Sequence, residues 1–179
     1  MTMAELNAKD RSGFVAAVGW AFEDSPWVAE RVWVLRPFAT LDGLHECMIA
    51  VVASASPEEQ SALLRAHPEL GAVRLKPDTT DDGRVRLRAD SMSTASQREQ
   101  SGAGLDTLTH DELDRLRALN AAYRDKFGFP FLYAVKGSTK HDILSALERR
   151  LPATRDAEQV EALRQVYRIA RFRLEEVIS

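Results

Sequence analysis

Cysteine is almost absent from this 179-residue chain, where Cys47 stands alone. One thiol excludes an intrachain disulfide framework and a Cys-rich zinc site, and it fits a reducing compartment such as the cytoplasm. No apolar run approaches the roughly 20 residues that a helix needs to cross a bilayer, so a membrane protein is not expected. An excess of one charge is missing too. Lys and Arg number 24 against 27 Asp and Glu, for a net charge of −3. Nucleic-acid binding rests on clustered cations that neutralise phosphates, so this balance predicts no nucleic-acid partner. The first nine residues lack a basic stretch followed by an apolar one, and no secretory signal is expected from them. Gly-x-Ser-x-Gly, phosphate-binding and dinucleotide fingerprints do not occur. His45, His110 and His141 lack the spacing of a metal site, and Asp78, Asp81 and Asp82 before Gly83 do not follow a helix-loop-helix calcium loop.

What is present is helical periodicity. With 45% hydrophobic and 28% charged residues the composition is that of a globular protein, and the length suits a single domain over residues 1–179 with one core. Phe14, Val15, Val18 and Phe22 share a face after the candidate cap Ser12, and Pro26 opens a short helix through Trp27 and Val34. Leu41, Leu44, Met48, Val51 and Val52 form a stripe after Thr40, with Cys47 expected as a buried thiol beside it. Ser56, Pro57 and Glu59 combine an N-cap serine, proline at the first helical position and a capping-box glutamate. That helix should end near His67, because Pro68 pushes the residue before it out of the α region.

A polar stretch over residues 74–90 predicts a long loop or insertion near 71–93. Helical pattern resumes near Thr94 and breaks around Gly102 and Gly104. Thr109 with Glu112 opens a helix carrying Leu113, Leu116, Asn120, Tyr123 and Phe127, which Gly128 terminates. Residues 129–135 read as an extended buried segment. Thr139 caps a helix through Ile143, Leu144, Leu147 and Leu151, and the last helix places Val160, Leu163, Tyr167, Ala170, Leu174 and Val177 on one stripe. Strand signals are few and repeats absent. An all-α bundle of about eight helices follows.

Three patches exceed what helix packing requires. His67 can exchange a proton near neutral pH, although a histidine at a helix C-terminus commonly serves the helix dipole, and position alone favours that structural role. Ser96, Glu99 and Gln100 stand at i, i+3 and i+4, so one helical face would carry a hydroxyl, a carboxylate and a carboxamide. Such a face suits a ring bearing amide-like groups, and equally Ser-x-x-Glu is a capping box. In the run Phe127, Gly128, Phe129, Pro130, Phe131 the rings belong to a core, while the extended backbone leaves N–H and C=O groups that a small polar heterocycle could satisfy. Arg173 lies at the margin of the last stripe. Snorkelling to solvent is its commoner outcome, and gripping a carboxylate or urea oxygen is the alternative.

With these residues placed, the chain resembles the 2-oxo-4-hydroxy-4-carboxy-5-ureidoimidazoline (OHCU) decarboxylase family of urate breakdown. The resemblance runs through Phe14, Glu23 with Ser25, Pro26 and Trp27, Arg36 to Phe38, residues 63–70 and 96–105, Leu119 with Asn120, Tyr123, residues 126–131 and Arg149 to Leu151. It implies an all-helical, cofactor-free lyase, homodimeric, that converts the ureidoimidazoline acid to (S)-allantoin and carbon dioxide. By the same resemblance His67 and Glu99 are catalytic. Pro68, Ser96, Gln100, Phe131, Leu132, Tyr133, Ala134, Val135 and Arg173 contact the substrate, and no metal is held. The expected insertion departs from the family pattern, and Tyr133 and Ala134 stand where many members carry smaller aliphatic or cysteine residues. A lyase for another ureido or heterocyclic acid and a non-catalytic helical interaction domain are the competing readings.

Overall fold

The computed structural model describes residues 1–71 and 94–179, and the expected long loop lies, apart from Gly71, outside them. Among the described residues every regular element is helical. The described residues form nine α-helices and three 3₁₀ turns, in two compact units, Met1–His67 with Leu163–Ser179, and Pro68–Ala162.

The first unit holds α1 (Met3–Asn7), α2 (Arg11–Val18), α3 (Trp27–Val32), α4 (Leu41–Ala53), α5 (Pro57–Ala66) and the later part of α9 (Arg155–Val177). Its helix starts are chemically marked. Thr40 Oγ1 accepts from Gly43 N at 3.1 Å, and Ser56 and Glu59 bond reciprocally in a capping box with Pro57 in the first turn. Leu44, Met48 and Val52 of α4 are buried on the predicted stripe, as are Leu63 and Leu64 of α5.

The second unit holds α6 (Thr94–Gly102), α7 (His110–Phe127), α8 (Lys140–Arg150) and the start of α9. Thr109 with Glu112 and Thr139 with Asp142 form capping boxes. All five predicted positions of α7, from Leu113 to Phe127, are buried. Gly128 ends α7 at φ 81°, ψ 11°, a left-handed conformation that costs glycine little because it has no Cβ. Residues 129–135 are irregular, and Phe129, Phe131, Leu132, Ala134 and Val135 are buried.

Several expectations are corrected. The cap of α2 is Asp10, whose Oδ1 accepts from Gly13 N at 2.8 Å, while Ser12 donates its hydroxyl to the same carboxylate. Two cap-type residues stand two positions apart, and the carboxylate three positions before Gly13 is the one within reach of its N–H. Val34 leaves the α3 face because the chain tightens into a 3₁₀ turn at Trp33–Leu35, which exposes it. Cys47 is half-buried rather than buried. On α9 Val160 is exposed, and the buried positions include Glu158, Gln165 and Arg173. The inner face of α9 is therefore rotated from the apolar stripe. A pattern built from apolar residues alone skips the polar side chains that the helix buries.

Candidate active site

In the first unit His67 caps the C-terminus of α5 with φ −76° and ψ 141°, the extended conformation that Pro68 imposes on the residue before it. Its side chain is buried. Nδ1 lies 2.9 Å from the Leu63 carbonyl oxygen, which can only accept, so Nδ1 carries the proton. Nε2 then presents a lone pair, and this buried nitrogen has no hydrogen-bond partner among the described residues. Burial pushes the imidazole below its ordinary value of 6.5. The Leu63 hydrogen bond and the charges of Glu23 and Asp24 oppose that fall, and Arg173 adds to it. The neutral Nδ1–H tautomer is the form this environment favours.

Arg173 does not snorkel. It is 1% exposed, and its Nη1 donates to Glu23 Oε2 at 2.6 Å, with the Trp20 carbonyl oxygen at 3.4 Å. Both side chains of this ion pair are almost fully out of water. Buried charge is tolerated where it is paired, so Glu23 makes the burial of Arg173 possible. Glu23 sits at the end of the 3₁₀ turn Gly19–Phe22 with φ 53° and ψ −138°. Such a conformation is strained for a residue with a Cβ, and strain of this kind clusters at functional positions. Sequence reasoning quoted Glu23 for the resemblance and gave it no role; its backbone conformation leaves no mark in the residue order.

In the second unit α6 carries the predicted polar face. Ser96 and Gln100 are buried and Glu99 is half-buried, so Ser96 serves as an inward-facing residue of the helix body. Gln100 Oε1 accepts from Gly71 N at 3.0 Å, and its Nε2 lies 3.5 Å from the Glu69 carbonyl oxygen. Asn120 Nδ2 donates to the Leu70 carbonyl oxygen at 2.8 Å. Two carboxamides thus fix the turn that follows Pro68. Gly71 in that turn has φ 70°, and a Cβ built there would lie 2.4 Å from Leu116 Cδ2. Asn120 Oδ1 is a buried acceptor with no hydrogen-bond partner among the described residues. The sequence placed Asn120 on the buried stripe of α7 without assigning it chemistry.

The segment 131–135 presents an irregular backbone in the same unit. Phe131 stacks on Tyr133 at 6.1 Å between ring centroids and meets Tyr123 edge-on at 5.3 Å. Phe131, Leu132, Ala134 and Val135 are buried, Tyr133 is half-buried, and Val135 O accepts from Ser138 N at 2.9 Å. Among the described residues no group of three His, Cys, Asp or Glu side chains is placed to hold a metal ion. A cavity of about 450 Å³ in the first unit, lined by His45, Ile49, Tyr167 and Phe172 with Arg164, Arg168 and Arg171, takes in none of the predicted site residues.

A buried imidazole with one nitrogen lacking a partner among the described residues is a candidate acid–base group. The whole chain superposes on 54% of a solved (S)-allantoin synthase chain with a TM-score of 0.77 and 32% identity. A solved OHCU decarboxylase, crystallised in the presence of (S)-allantoin, shares the fold at a TM-score of 0.64 and 20% identity, over 94% of this chain and 97% of that one. The chain belongs to the OHCU decarboxylase family, whose sequence model matches residues 7–175.

Relatives match over nearly all of this chain. A 2-oxo-4-hydroxy-4-carboxy-5-ureidoimidazoline decarboxylase of Halalkalicoccus jeotgali is 42% identical, over 99% of this chain and 92% of that protein. One of Haloferax volcanii is 39% identical over 100% and 97%. A uric acid degradation bifunctional protein of Bacillus subtilis is also 42% identical over 99% of this chain, which spans 33% of its length. No described helix is long and apolar enough to cross a membrane.

Proposed function

We propose that this protein is a carboxy-lyase that converts 2-oxo-4-hydroxy-4-carboxy-5-ureidoimidazoline to (S)-allantoin and carbon dioxide in urate degradation, without a cofactor. Family membership over nearly the whole chain supports the reaction. The observation that carries the chemistry is the buried His67 imidazole, protonated on Nδ1 and basic on Nε2.

Loss of CO2 leaves an electron pair on the ring carbon that held the carboxylate. In this substrate the adjacent ring C=N accepts it, and the nitrogen takes up one proton from the medium. The enol so formed carries the former 4-hydroxyl. Nε2 of His67 removes that hydroxyl proton, and the imidazolium returns a proton to the neighbouring carbon, which regenerates a carbonyl and sets a single stereocentre. One anion and one proton enter, and allantoin and CO2 leave. General acid–base help of this kind contributes about 10²- to 10⁴-fold.

Glu99 and Gln100 grip the ureido and ring nitrogens, with Ser96 on the same face of α6. Pro68 and the backbone of Phe131, Leu132, Tyr133, Ala134 and Val135 orient the ring. Arg173, held by Glu23, offers its fork to an anionic oxygen of the substrate. Contacts that strengthen as charge delocalises into the ring accelerate the step. The chain acts as one OHCU decarboxylase-like domain, as a homodimer and in the cytoplasm, which suits its single cysteine.

The test is incubation of the purified protein with freshly generated OHCU, followed by circular dichroism of the allantoin formed. Rapid optical activity is expected. Racemic allantoin at the uncatalysed rate would overturn the proposal, and turnover of ureido analogues alone would reassign the substrate. Light scattering behind size exclusion reads the dimer.

A further inference from the structure

The segment 131–135 lies in no helix or strand, yet all of it but the half-buried Tyr133 is buried. Its anchor comes from three helices of the same unit. Arg150, at the end of α8, donates from Nη1 to the Leu132 carbonyl oxygen at 2.7 Å, and its guanidinium lies 4.7 Å from the Phe131 ring centroid. The other edge of that guanidinium, Nε and Nη2, is held by Glu158 Oε1 on α9, with Nε at 3.0 Å. Tyr123 of α7 donates its hydroxyl to the same Glu158 oxygen, and its ring packs against Phe131. Glu158 is 1% exposed. Burying a carboxylate this deeply is costly, and hydrophobic residues of similar volume commonly serve stability as well or better. An apolar core would nevertheless leave the Leu132 carbonyl without the Arg150 bond, and a planar fork holds that carbonyl and a carboxylate in one fixed geometry, which a flexible ammonium does not.

We propose that Arg150, oriented by Glu158 and Tyr123, is a positioning residue that sets the peptide planes of segment 131–135 for contact with the substrate ring. The inference rests on the proposed role of that backbone. Reacting groups lose about 10²-fold in rate when displaced by roughly an ångström, so a carbonyl anchored by a side chain from another helix can govern turnover without touching substrate.

Two variants test it. Tyr123→Phe/Arg150→Met/Glu158→Leu replaces the whole polar cluster with apolar groups and avoids a lone buried charge. Arg150→Lys keeps the cation and loses the fork, so it serves if the triple variant does not fold. Each is compared with the native protein by thermal unfolding, by hydrogen exchange over residues 131–135, and by kcat and KM for freshly generated OHCU. Faster exchange confined to this segment is expected, with kcat/KM down about 10²-fold in the triple variant, about tenfold in Arg150→Lys, and a melting temperature little changed. Local exchange as slow as in the native protein overturns the anchor, whatever the activity. Looser exchange with native kcat and KM overturns its role in turnover. A native protein inert on OHCU tells against the decarboxylase reading, and the exchange data still decide the anchor.

Discussion

Position 23 offers a measurement in which the usual ranking of two substitutions reverses. Glu23 combines a backbone conformation that costs about 1–3 kcal/mol in any residue with a Cβ and a carboxylate that neutralises the buried Arg173. Glu23→Ala keeps the strain and strips the counterion, and breaking a buried pair in this way costs about 3–5 kcal/mol. Glu23→Gly strips the counterion equally but relieves the strain. Glycine is ordinarily less stable than alanine by about 0.5–1 kcal/mol, because it loses more freedom on folding. Here the relieved strain outweighs that entropy, so Glu23→Gly should exceed Glu23→Ala by up to about 2.5 kcal/mol, or up to roughly 10 °C in melting temperature for a chain of this size. Adding Arg173→Met to Glu23→Gly should then recover stability, because the buried cation that Glu23 neutralised goes too. Urea and thermal unfolding of the four proteins read both steps. An alanine variant more stable than the glycine variant would refute the claim of strain, and a double variant no more stable than Glu23→Gly would refute the ion-pair reasoning.

Four further outcomes follow from the same geometry. His67→Ala should lower kcat about 10²- to 10⁴-fold in a folded protein, and normal turnover would remove His67 as the base. Glu99→Ala should raise KM as well as lower kcat, so unchanged steady-state constants would take it out of the site. Because burial lowers the folded-state pKa of His67, the unfolded chain binds the proton more readily below 6.5. His67 therefore favours folding fully above that value and progressively less as pH falls through and below it. His67→Ala should flatten the slope of unfolding free energy against pH in that window, and an unaltered slope would contradict the burial effect. Gly71→Ala places a methyl against Leu116 in a left-handed conformation and should cost about 1–3 kcal/mol by chemical denaturation, whereas a neutral effect would mean the turn re-forms elsewhere.

The helices were legible because their signals are local. Thr40, Ser56 with Glu59, Thr109 with Glu112, and Thr139 act on N–H groups three residues away, so pattern and structure coincide there. The terminus at His67 was legible for the same reason, since Pro68 acts on its neighbour. Ser96, Glu99 and Gln100 could be assigned to one face by spacing. Arg173 was not legible, because its burial depends on a carboxylate 150 residues earlier in the chain. Glu158 was likewise missed: it pairs with Arg150 across the break at Pro152, and a helical stripe counted from apolar residues passes it by.

The bond from His67 to Leu63 joins two roles that the sequence set against each other. Leu63 supplies one of the last four carbonyls of α5, groups that a helix leaves without an internal donor. By closing that gap the imidazole finishes the helix, and the same act decides which of its nitrogens keeps a free electron pair. The tautomer is thereby written into one helical turn and needs no remote carboxylate to maintain it. An asparagine at this position, whose amide can reach the same carbonyl, should preserve the helix end and abolish the base, separating architecture from chemistry within one side chain.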